Sequence, residues 1–261
     1  MEPSPGPWVS ALRQSHDRLQ ASVEPLGLAE LEQRSYDSEW SIAQVLSHLG
    51  SQAEIFGLFL DAGLTGQDPP GREEFVPIWE SWNGKDPRAQ ASDALRADEA
   101  TLERFESLDA DEQAGLHLKV FGMELGVTGL ARMRVGEHAI HTWDVVVALD
   151  PAATVAPDAV ALLIDTLDQL AARVGKPDGK RRRVRVSTTA PDRQFILETS
   201  EAVTLTPAGG EETPEPGLSE LRLPAEALVR LVYGRMDEAH TPPLEAAGVD
   251  LDELRSIFPG F

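Results

Sequence analysis

The spacing of apolar residues changes near residue 150, and this change limits the fold more than any other feature of the sequence. Before it, apolar residues recur every three or four positions over long segments, which predicts amphipathic helices. Beyond residue 180 they alternate with polar residues, as in 184–188, which predicts strands. Asp150 and Pro151 mark the break. We therefore predict an α+β multidomain chain, with an antiparallel four-helix bundle in residues 1–150 and a smaller α+β domain in residues 151–261.

Four helices are predicted in the first part of the chain, at residues 7–23, 42–60, 94–105 and 128–148. The second of them has the clearest start, because Ser41 and Gln44 have the spacing of a capping box. A stretch rich in Gly and Pro, from Gly63 to about Pro87, predicts one long loop between the second and third helices.

The second part of the chain mixes both patterns. A helix is predicted from Pro157 to a stop at Gly175, and a further short helix follows Pro224. Asp250 is placed to cap the last helix. Four strands are predicted, at residues 184–188, 195–199, 203–205 and 221–223.

The sequence contains no cysteine. This excludes disulfides, cysteine-ligated zinc, iron–sulfur clusters and a cysteine nucleophile. If the protein performs thiol chemistry, a small molecule has to supply the sulfur.

The chain carries 23 basic and 44 acidic residues, a formal net charge of −21. Such a charge repels nucleic acid and anionic lipid. The basic run in 176–185 has no interleaved aromatic residues, so we interpret it as a solvated strand edge with acidic neighbours. No apolar stretch approaches the length of a transmembrane helix, and the N-terminus lacks the pattern of a secretory signal. We expect a cytoplasmic protein with neither nucleic-acid nor membrane partners, either a monomer or a weak dimer.

The fourth predicted helix carries polar side chains on or beside its apolar stripe. Glu137 and His141 are four residues apart, so they lie one above the other on one face of the helix. They could form an ordinary ion pair or two corners of a metal site, and His138 could share a site with His141. Asp144 could be a polar capping residue of the helix, or it could orient a histidine ligand.

A metal site of this kind needs a third ligand. His48 lies among apolar residues of the second helix, and two helices of one bundle could bring it against Glu137 and His141. A lone histidine in such a position is more often a hydrogen-bonded core residue. The order E-H-x-x-H is not the H-E-x-x-H of zinc proteases, so that class is not supported.

Three segments resemble the mycothiol-dependent maleylpyruvate isomerase family, part of the DinB-like superfamily of thiol-dependent metalloenzymes. They are W-S-I-A-Q-V-L-S-H-L at 40–49, R-V-G-E-H-A-I-H-T-W-D at 134–144 and the terminal F-P-G-F. The resemblance covers nearly the whole chain. It implies a metal-binding bundle followed by a C-terminal α+β domain.

The resemblance also implies roles for particular residues. The metal ligands of the family, a His, a Glu and a His, fall on His48, Glu137 and His141, and His138 is then not a ligand. An arginine of the C-terminal domain matters in the isomerase, and its nearest match is Arg235, in V-Y-G-R-M. Arg235 is therefore our candidate catalytic residue.

Three protein ligands leave one corner of a tetrahedral zinc site open, and a coordinated thiol is held there as the nucleophilic thiolate. We therefore expect an enzyme dependent on zinc and on mycothiol, which activates this low-molecular-weight thiol for addition to an electrophilic small molecule, as an isomerase or an S-transferase. Two alternatives stay open: a non-catalytic metal- or thiol-binding protein, and a metal-dependent hydrolase of the same fold.

Overall fold

In the computed structural model, which describes residues 4–37, 39–209 and 218–260, helices occupy most of the chain before residue 150. Four long helices are α1 (Gly6–Val23), α3 (Ile42–Thr65), α5 (Pro87–Ser107) and α7 (Val127–Leu149). Between them lie α2 (Leu28–Glu32), α4 (Arg72–Asn83), α6 (Ala110–Gly115) and a hairpin of β1 (Leu118–Val120) and β2 (Met123–Leu125). The chain divides into two compact units, Met1–Thr154 and Val155–Phe261.

The four long helices of the first unit pack around a common apolar core. α3 packs along α5 and α1 along α7, while α1 also touches α5 and α3 also touches α7. Side chains such as Leu12, Leu46, Leu102 and Leu130 are buried from all solvent, or nearly so, at the centre. The predicted helical bundle is confirmed.

The start of α3 confirms the capping box. The amide of Gln44 donates to Oγ of Ser41 at 3.2 Å, and the Ser41 amide donates to Oε1 of Gln44 at 2.8 Å. Two otherwise unpaired helix-end donors are thereby satisfied. The cap fixes where α3 begins, and hence the turn on which His48 lies.

The predicted loop from Gly63 to Pro87 is wrong over its middle, because α4 lies there despite Pro77 in its interior. A proline at that position removes one helical hydrogen bond. Burial of Phe75 and Trp82 compensates for it. Trp82 lies directly on the backbone of α3 at Gly50, where an added Cβ would be 2.3 Å from the indole ring.

The second unit begins with α8 (Pro157–Leu163), a 3-10 turn (Ile164–Thr166) and α9 (Leu167–Val174) where one continuous helix is predicted. Strands β3 (Arg182–Thr189), β4 (Arg193–Thr199), β5 (Val203–Pro207) and β6 (Ser219–Pro224) follow, and then α10 (Ala225–Val232). The unit ends with β7 (Glu245–Ala247), which the sequence did not predict, and α11 (Leu251–Ile257). Phe261 of the terminal motif lies outside the described residues.

The five strands form one sheet in the order β5-β4-β3-β6-β7. β3 pairs in parallel with β6, and all other neighbours are antiparallel. One face is apolar and buried, with Val184 and Val186 of β3 beside Leu197 and Leu221, and α9 and α10 pack against the sheet. This α+β arrangement after a helical bundle is the predicted fold class.

Candidate metal centre

Three side chains with metal-binding atoms meet where α3 and α7 pack together. His48 is on α3, and Glu137 and His141 are one turn apart on α7. Nε2 of His48 lies 3.5 Å from Oε2 of Glu137, and Nε2 of His141 lies 3.6 Å from the same oxygen. One ligand atom from each residue lies within 4.8 Å of the other two. The structure thus brings together the three side chains that the sequence nominated.

These separations suit a shared ion. Atoms bound to one tetrahedral zinc at about 2.0–2.1 Å lie roughly 3.4 Å from each other. Nε2 of His48 is buried and has no hydrogen-bond partner among the described residues, which costs about 1–3 kcal/mol for a buried polar atom. Two imidazoles and one carboxylate are a donor set that zinc accepts, and an ion held between them would remove this cost.

The cluster also reaches solvent, as a site for a further ligand must. The side chains of His48, Glu137 and His141 are 22, 33 and 12% exposed. Part of each side chain is therefore exposed to solvent, although Nε2 of His48 itself is buried.

Asp144 holds the ring of His141. Its Oδ2 lies 2.9 Å from Nδ1 of His141, and the side chain is fully buried. A carboxylate on Nδ1 leaves Nε2 facing Glu137 as the atom that can bind an ion once it has lost its proton, which is the usual way that a ligand histidine is oriented. This geometry agrees with the prediction that Asp144 orients a histidine rather than caps the helix.

The three titratable side chains of the cluster shift one another's pKa values. Burial alone would raise the pKa of Glu137, but His141 and His48 outweigh it and hold that pKa well below its usual range. Burial lowers the pKa of His141, yet the hydrogen bond to Asp144 and the neighbouring Glu137 raise it to about 9. Burial dominates at His48 and lowers its pKa. The centre therefore holds an anionic carboxylate between two imidazoles.

Trp40 forms an aromatic wall beside the centre. Its ring centroid lies 5.3 Å from that of His48, and the His48 and His141 rings are 4.7 Å apart, edge to face. The sequence analysis did not assign Trp40 a role. Its place immediately before the capping residue Ser41 was the available signal, because that position lies at the same end of α3 as His48.

A second group of two histidines and a carboxylate lies inside the bundle. Oδ2 of Asp98, on α5, is 2.8 Å from Nδ1 of His16 on α1 and 2.8 Å from Nε2 of His138 on α7. Oδ1 accepts a 2.6 Å hydrogen bond from Nη2 of Arg134. We call these four residues the Asp98 hub. His138 belongs here, so it is separate from the candidate metal ligands, while His16 and Asp98 were missed by the sequence analysis.

The ligand atoms of His16, Asp98 and His138 also lie within 4.8 Å of one another, close enough to share a metal ion. The hydrogen bonds and charges of the hub argue against a metal there. Both oxygens of Asp98 are already engaged, and Nδ1 of His138 is 2.8 Å from Oγ of Ser15. The guanidinium of Arg134 touches the carboxylate and would repel a cation. Burial would raise the pKa of Asp98, but His138 and Arg134 hold it well below 3.8. The carboxylate of Asp98 is therefore fully engaged by protein groups, although Nε and Nη1 of Arg134 have no hydrogen-bond partner among the described residues.

Arg235 follows α10 in the second unit and is half-buried. Its backbone amide donates to the carbonyl of Arg230 at 2.7 Å, and Nη1 donates to the carbonyl of Tyr233 at 3.1 Å. The turn before it needs Gly234, whose φ is +72° and where an added Cβ would be 2.3 Å from the amide of Gly260. The turn is thus tightly defined, and the catalytic role of Arg235 stays a prediction.

The basic run is paired with acids. Lys180 and Arg182 contact Glu253, Arg182 also contacts Asp178, and Arg183 contacts Glu198. Three of the basic side chains thus have the predicted acidic neighbours, but β3 is the central strand of the sheet and not its edge. In the described parts of the chain, no helix has the length and apolar character needed to cross a bilayer.

Comparison with known proteins identifies a matching family profile and solved structures of similar fold. The family profile of the mycothiol maleylpyruvate isomerase N-terminal domain matches residues 12–146, slightly more than half of the chain. A crystal structure of a mycothiol-dependent maleylpyruvate isomerase is similar over 94% of this chain and 93% of that chain, with 15% identity and a TM-score of 0.68. A structure of a histidine-to-alanine mutant of such an isomerase covers 90% of each chain, with 15% identity and a TM-score of 0.66. At this identity the structures show a shared fold alone. No curated protein matches the chain.

Proposed function

The chain belongs to the family of the mycothiol maleylpyruvate isomerase N-terminal domain, and from this premise we propose that it is a metal-dependent enzyme that uses mycothiol. Its substrate is an electrophilic small molecule, and its reaction is either an isomerisation of the maleylpyruvate type or a thiol transfer. The observation that carries the proposal is the solvent-accessible cluster of His48, Glu137 and His141, in which a buried ring nitrogen has no partner among the described residues.

The donor set favours zinc as the bound ion, held by His48, Glu137 and His141. Zinc and mycothiol would together supply a thiolate that adds reversibly to an activated double bond, permitting cis–trans rotation in an isomerase or leaving as the adduct in a transferase.

The protein's own groups prepare this chemistry. Two neutral imidazoles and one carboxylate leave a divalent ion with a net charge of about +1, which favours an anionic fourth ligand such as a thiolate. Asp144 fixes the His141 ring through Nδ1, so that Nε2 is the metal-facing atom. Trp40 lies against His48 and supplies an apolar surface beside the centre.

The absence of cysteine from the sequence supports the use of an external thiol. No protein thiol competes for the open ligand position, and none can form a mixed disulfide with mycothiol. The proposed enzyme therefore depends wholly on an added thiol and is indifferent to cysteine alkylation.

Arg235 is the residue that we propose to bind the substrate's anionic group. A guanidinium pairs with a carboxylate through two parallel hydrogen bonds. Arg235→Lys should keep the charge but lose this fork geometry, so KM for an anionic substrate should rise more than kcat falls.

A turnover assay tests the proposal. Metal-loaded protein is given activated alkenes and epoxides, including maleylpyruvate, with mycothiol, with S-methylated mycothiol, or with neither. We expect turnover only in the samples that contain mycothiol. The rate should persist at pH values below the pKa of a free thiol, about 8.5, because the bound thiol is already deprotonated. Glu137→Gln should be inactive, and Glu124→Gln, an exposed carboxylate on β2, should match the wild type.

The two alternative functions, a hydrolase and a non-catalytic binding protein, predict different results in the same assay. Full turnover without thiol, or hydrolysis of a test ester, would favour a metal-dependent hydrolase. Cobalt-substituted protein that shows a thiolate-to-cobalt band with mycothiol, but turns over none of the panel, would favour a non-catalytic thiol-binding protein.

A further inference from the structure

We propose that the Asp98 hub positions the metal ligands, by fixing how α7 is rotated and placed against α3. The inference rests on the proposed function of His48, Glu137 and His141 as a metal centre. It assigns a role to Asp98, His138 and Arg134, which do not touch the proposed ion.

The hub joins three helices at a single carboxylate. His16 of α1, His138 of α7 and Arg134 of α7 all bond to Asp98 of α5. Their side chains are between 0 and 3% exposed. A buried network of charge-assisted hydrogen bonds is directional, because each bond weakens steeply as its angle departs from linearity.

Arg134 extends the hub to the fourth long helix. The Nη2 atom that binds Asp98 also donates to the carbonyl of Leu49 on α3, at 3.1 Å. Leu49 follows the candidate ligand His48 directly. One guanidinium nitrogen therefore ties the backbone of one ligand-bearing helix to the side chains of the other.

The hub members also lie at the level of the ligands on α7. Arg134 is three residues before Glu137, and His138 is one residue after it and three before His141. Neighbouring residues on a helix differ by about 100° in direction. Fixing Arg134 and His138 therefore fixes the direction in which Glu137 and His141 project toward His48.

Apolar packing alone defines this rotation poorly. Sixteen of the 23 residues of α7 are buried, on all sides of the helix, and hydrophobic burial is non-directional. An α7 rotated by a small angle would stay buried but would move its two ligands away from His48. The hub supplies the directional contacts that select one rotation.

The same face of α3 is held at its next two turns. Oγ1 of Thr101 donates to the carbonyl of Ala53 at 2.9 Å, and Nη1 of Arg104 donates to that of Gly57 at 3.0 Å. Together with Leu49, these carbonyls are spaced one turn apart. These hydrogen bonds prevent α3 from sliding along α5. The position of His48 on α3 is therefore fixed, and the hub places α7 relative to it.

Metal binding and cobalt spectra of hub variants test the proposal. Asp98→Asn should bind Zn²⁺ and Co²⁺ about 10–100-fold more weakly, measured by chelator competition, and the d–d bands of the saturated Co²⁺ protein should change in position and intensity. His138→Gln keeps an N–H donor for Asp98, so its metal affinity should stay within about threefold of the wild type. His138→Leu has no such donor and should lose as much affinity as Asp98→Asn.

A matched control separates positioning from a loss of stability. Glu226→Gln breaks a buried ion pair with Arg230 in the second unit, so it should lower stability and leave the cobalt spectrum unchanged. Wild-type affinity and spectrum in both Asp98→Asn and His138→Leu would overturn the positioning role while leaving the metal centre intact. A wild-type protein that binds no metal would overturn the proposed function and this inference with it. If Asp98→Asn does not fold, the two His138 variants decide.

Discussion

The two clusters of two histidines and one carboxylate in the helical bundle contain the same residue types and share α7, but they differ in what surrounds them. In the candidate metal centre, Nε2 of each histidine lies 3.5–3.6 Å from Oε2 of Glu137, and Nε2 of His48 is without a hydrogen-bond partner among the described residues. In the Asp98 hub, the corresponding contacts are 2.8 Å and the carboxylate also binds Arg134.

This difference shows that residue types alone do not identify a metal site. Contacts of 2.8 Å are direct hydrogen bonds, and no ion fits between atoms so close. Contacts near 3.5 Å are too long for strong hydrogen bonds and match the spacing of atoms that share a metal. Access differs in the same way, because Glu137 is 33% exposed and Asp98 only 2%. One cluster is built to receive a ligand and the other to hold helices together.

The largest difference between the clusters should appear in stability. Asp98→Asn leaves the buried guanidinium of Arg134 without its countercharge, and breaking a buried ion pair costs about 3–5 kcal/mol. Glu137→Gln, in the open centre, should cost less, because the histidine contacts of Glu137 are 3.5–3.6 Å long and are therefore weak hydrogen bonds. All five tryptophans lie in the first 143 residues, so their fluorescence during urea unfolding reports on the first unit. Equal losses in both variants would contradict the contrast.

A smaller effect, on metal affinity, is expected at Asp144, the carboxylate that supports the candidate metal centre. Asp144→Asn removes the acceptor that orients His141, and loss of such a partner weakens metal binding about 10–100-fold. The protein should stay folded. Glu124→Gln, at an exposed carboxylate on β2, is the control and should bind zinc as the wild type does. Unchanged affinity in Asp144→Asn would show that His141 needs no such support.

The smallest effect should be a change in the acid limb of the stability curve. The pKa of Asp98 is well below 3.8 in the folded chain and ordinary in the unfolded chain, so the unfolded chain takes up its proton first as the pH falls. The stabilisation is complete above about pH 5 and is lost below it. The wild type should therefore lose stability more steeply than Asp98→Asn, by up to about 1.4 kcal/mol per pH unit. Equal slopes would mean that Asp98 is not held ionised.

The sequence predicted the elements whose pattern is local. The four long helices follow from apolar spacing, and the start of α3 follows from Ser41 and Gln44. The pairing of Glu137 with His141 follows from helix geometry. The position of His48 against them depended on the assumption that two helices of the bundle are neighbours and on the resemblance to a family.

The missed features depend on contacts between distant segments. His16 fills the gap between Leu12 and Leu19 in the stripe of α1, and Asp98 fills the gap between Ala94 and Leu102 in that of α5. Each polar residue at an inward position was a signal, but its partner depends on which helices adjoin. α4 was missed because Pro77, together with the prolines and glycines that flank the helix, suggests a loop, whereas burial of Phe75 and Trp82 decides the outcome.

Metal content tests the central claim most directly. Wild type, His48→Ala and His16→Gln, purified with excess zinc and then dialysed, are measured by elemental analysis. We predict one zinc per chain in the wild type and in His16→Gln, because His16 does not touch the proposed ion and its replacement leaves the two α7 side chains, Arg134 and His138, bonded to Asp98. We predict background zinc in His48→Ala. Equal zinc in His48→Ala and the wild type, or zinc lost from His16→Gln but retained by His48→Ala, would contradict the assignment of the metal to the open cluster.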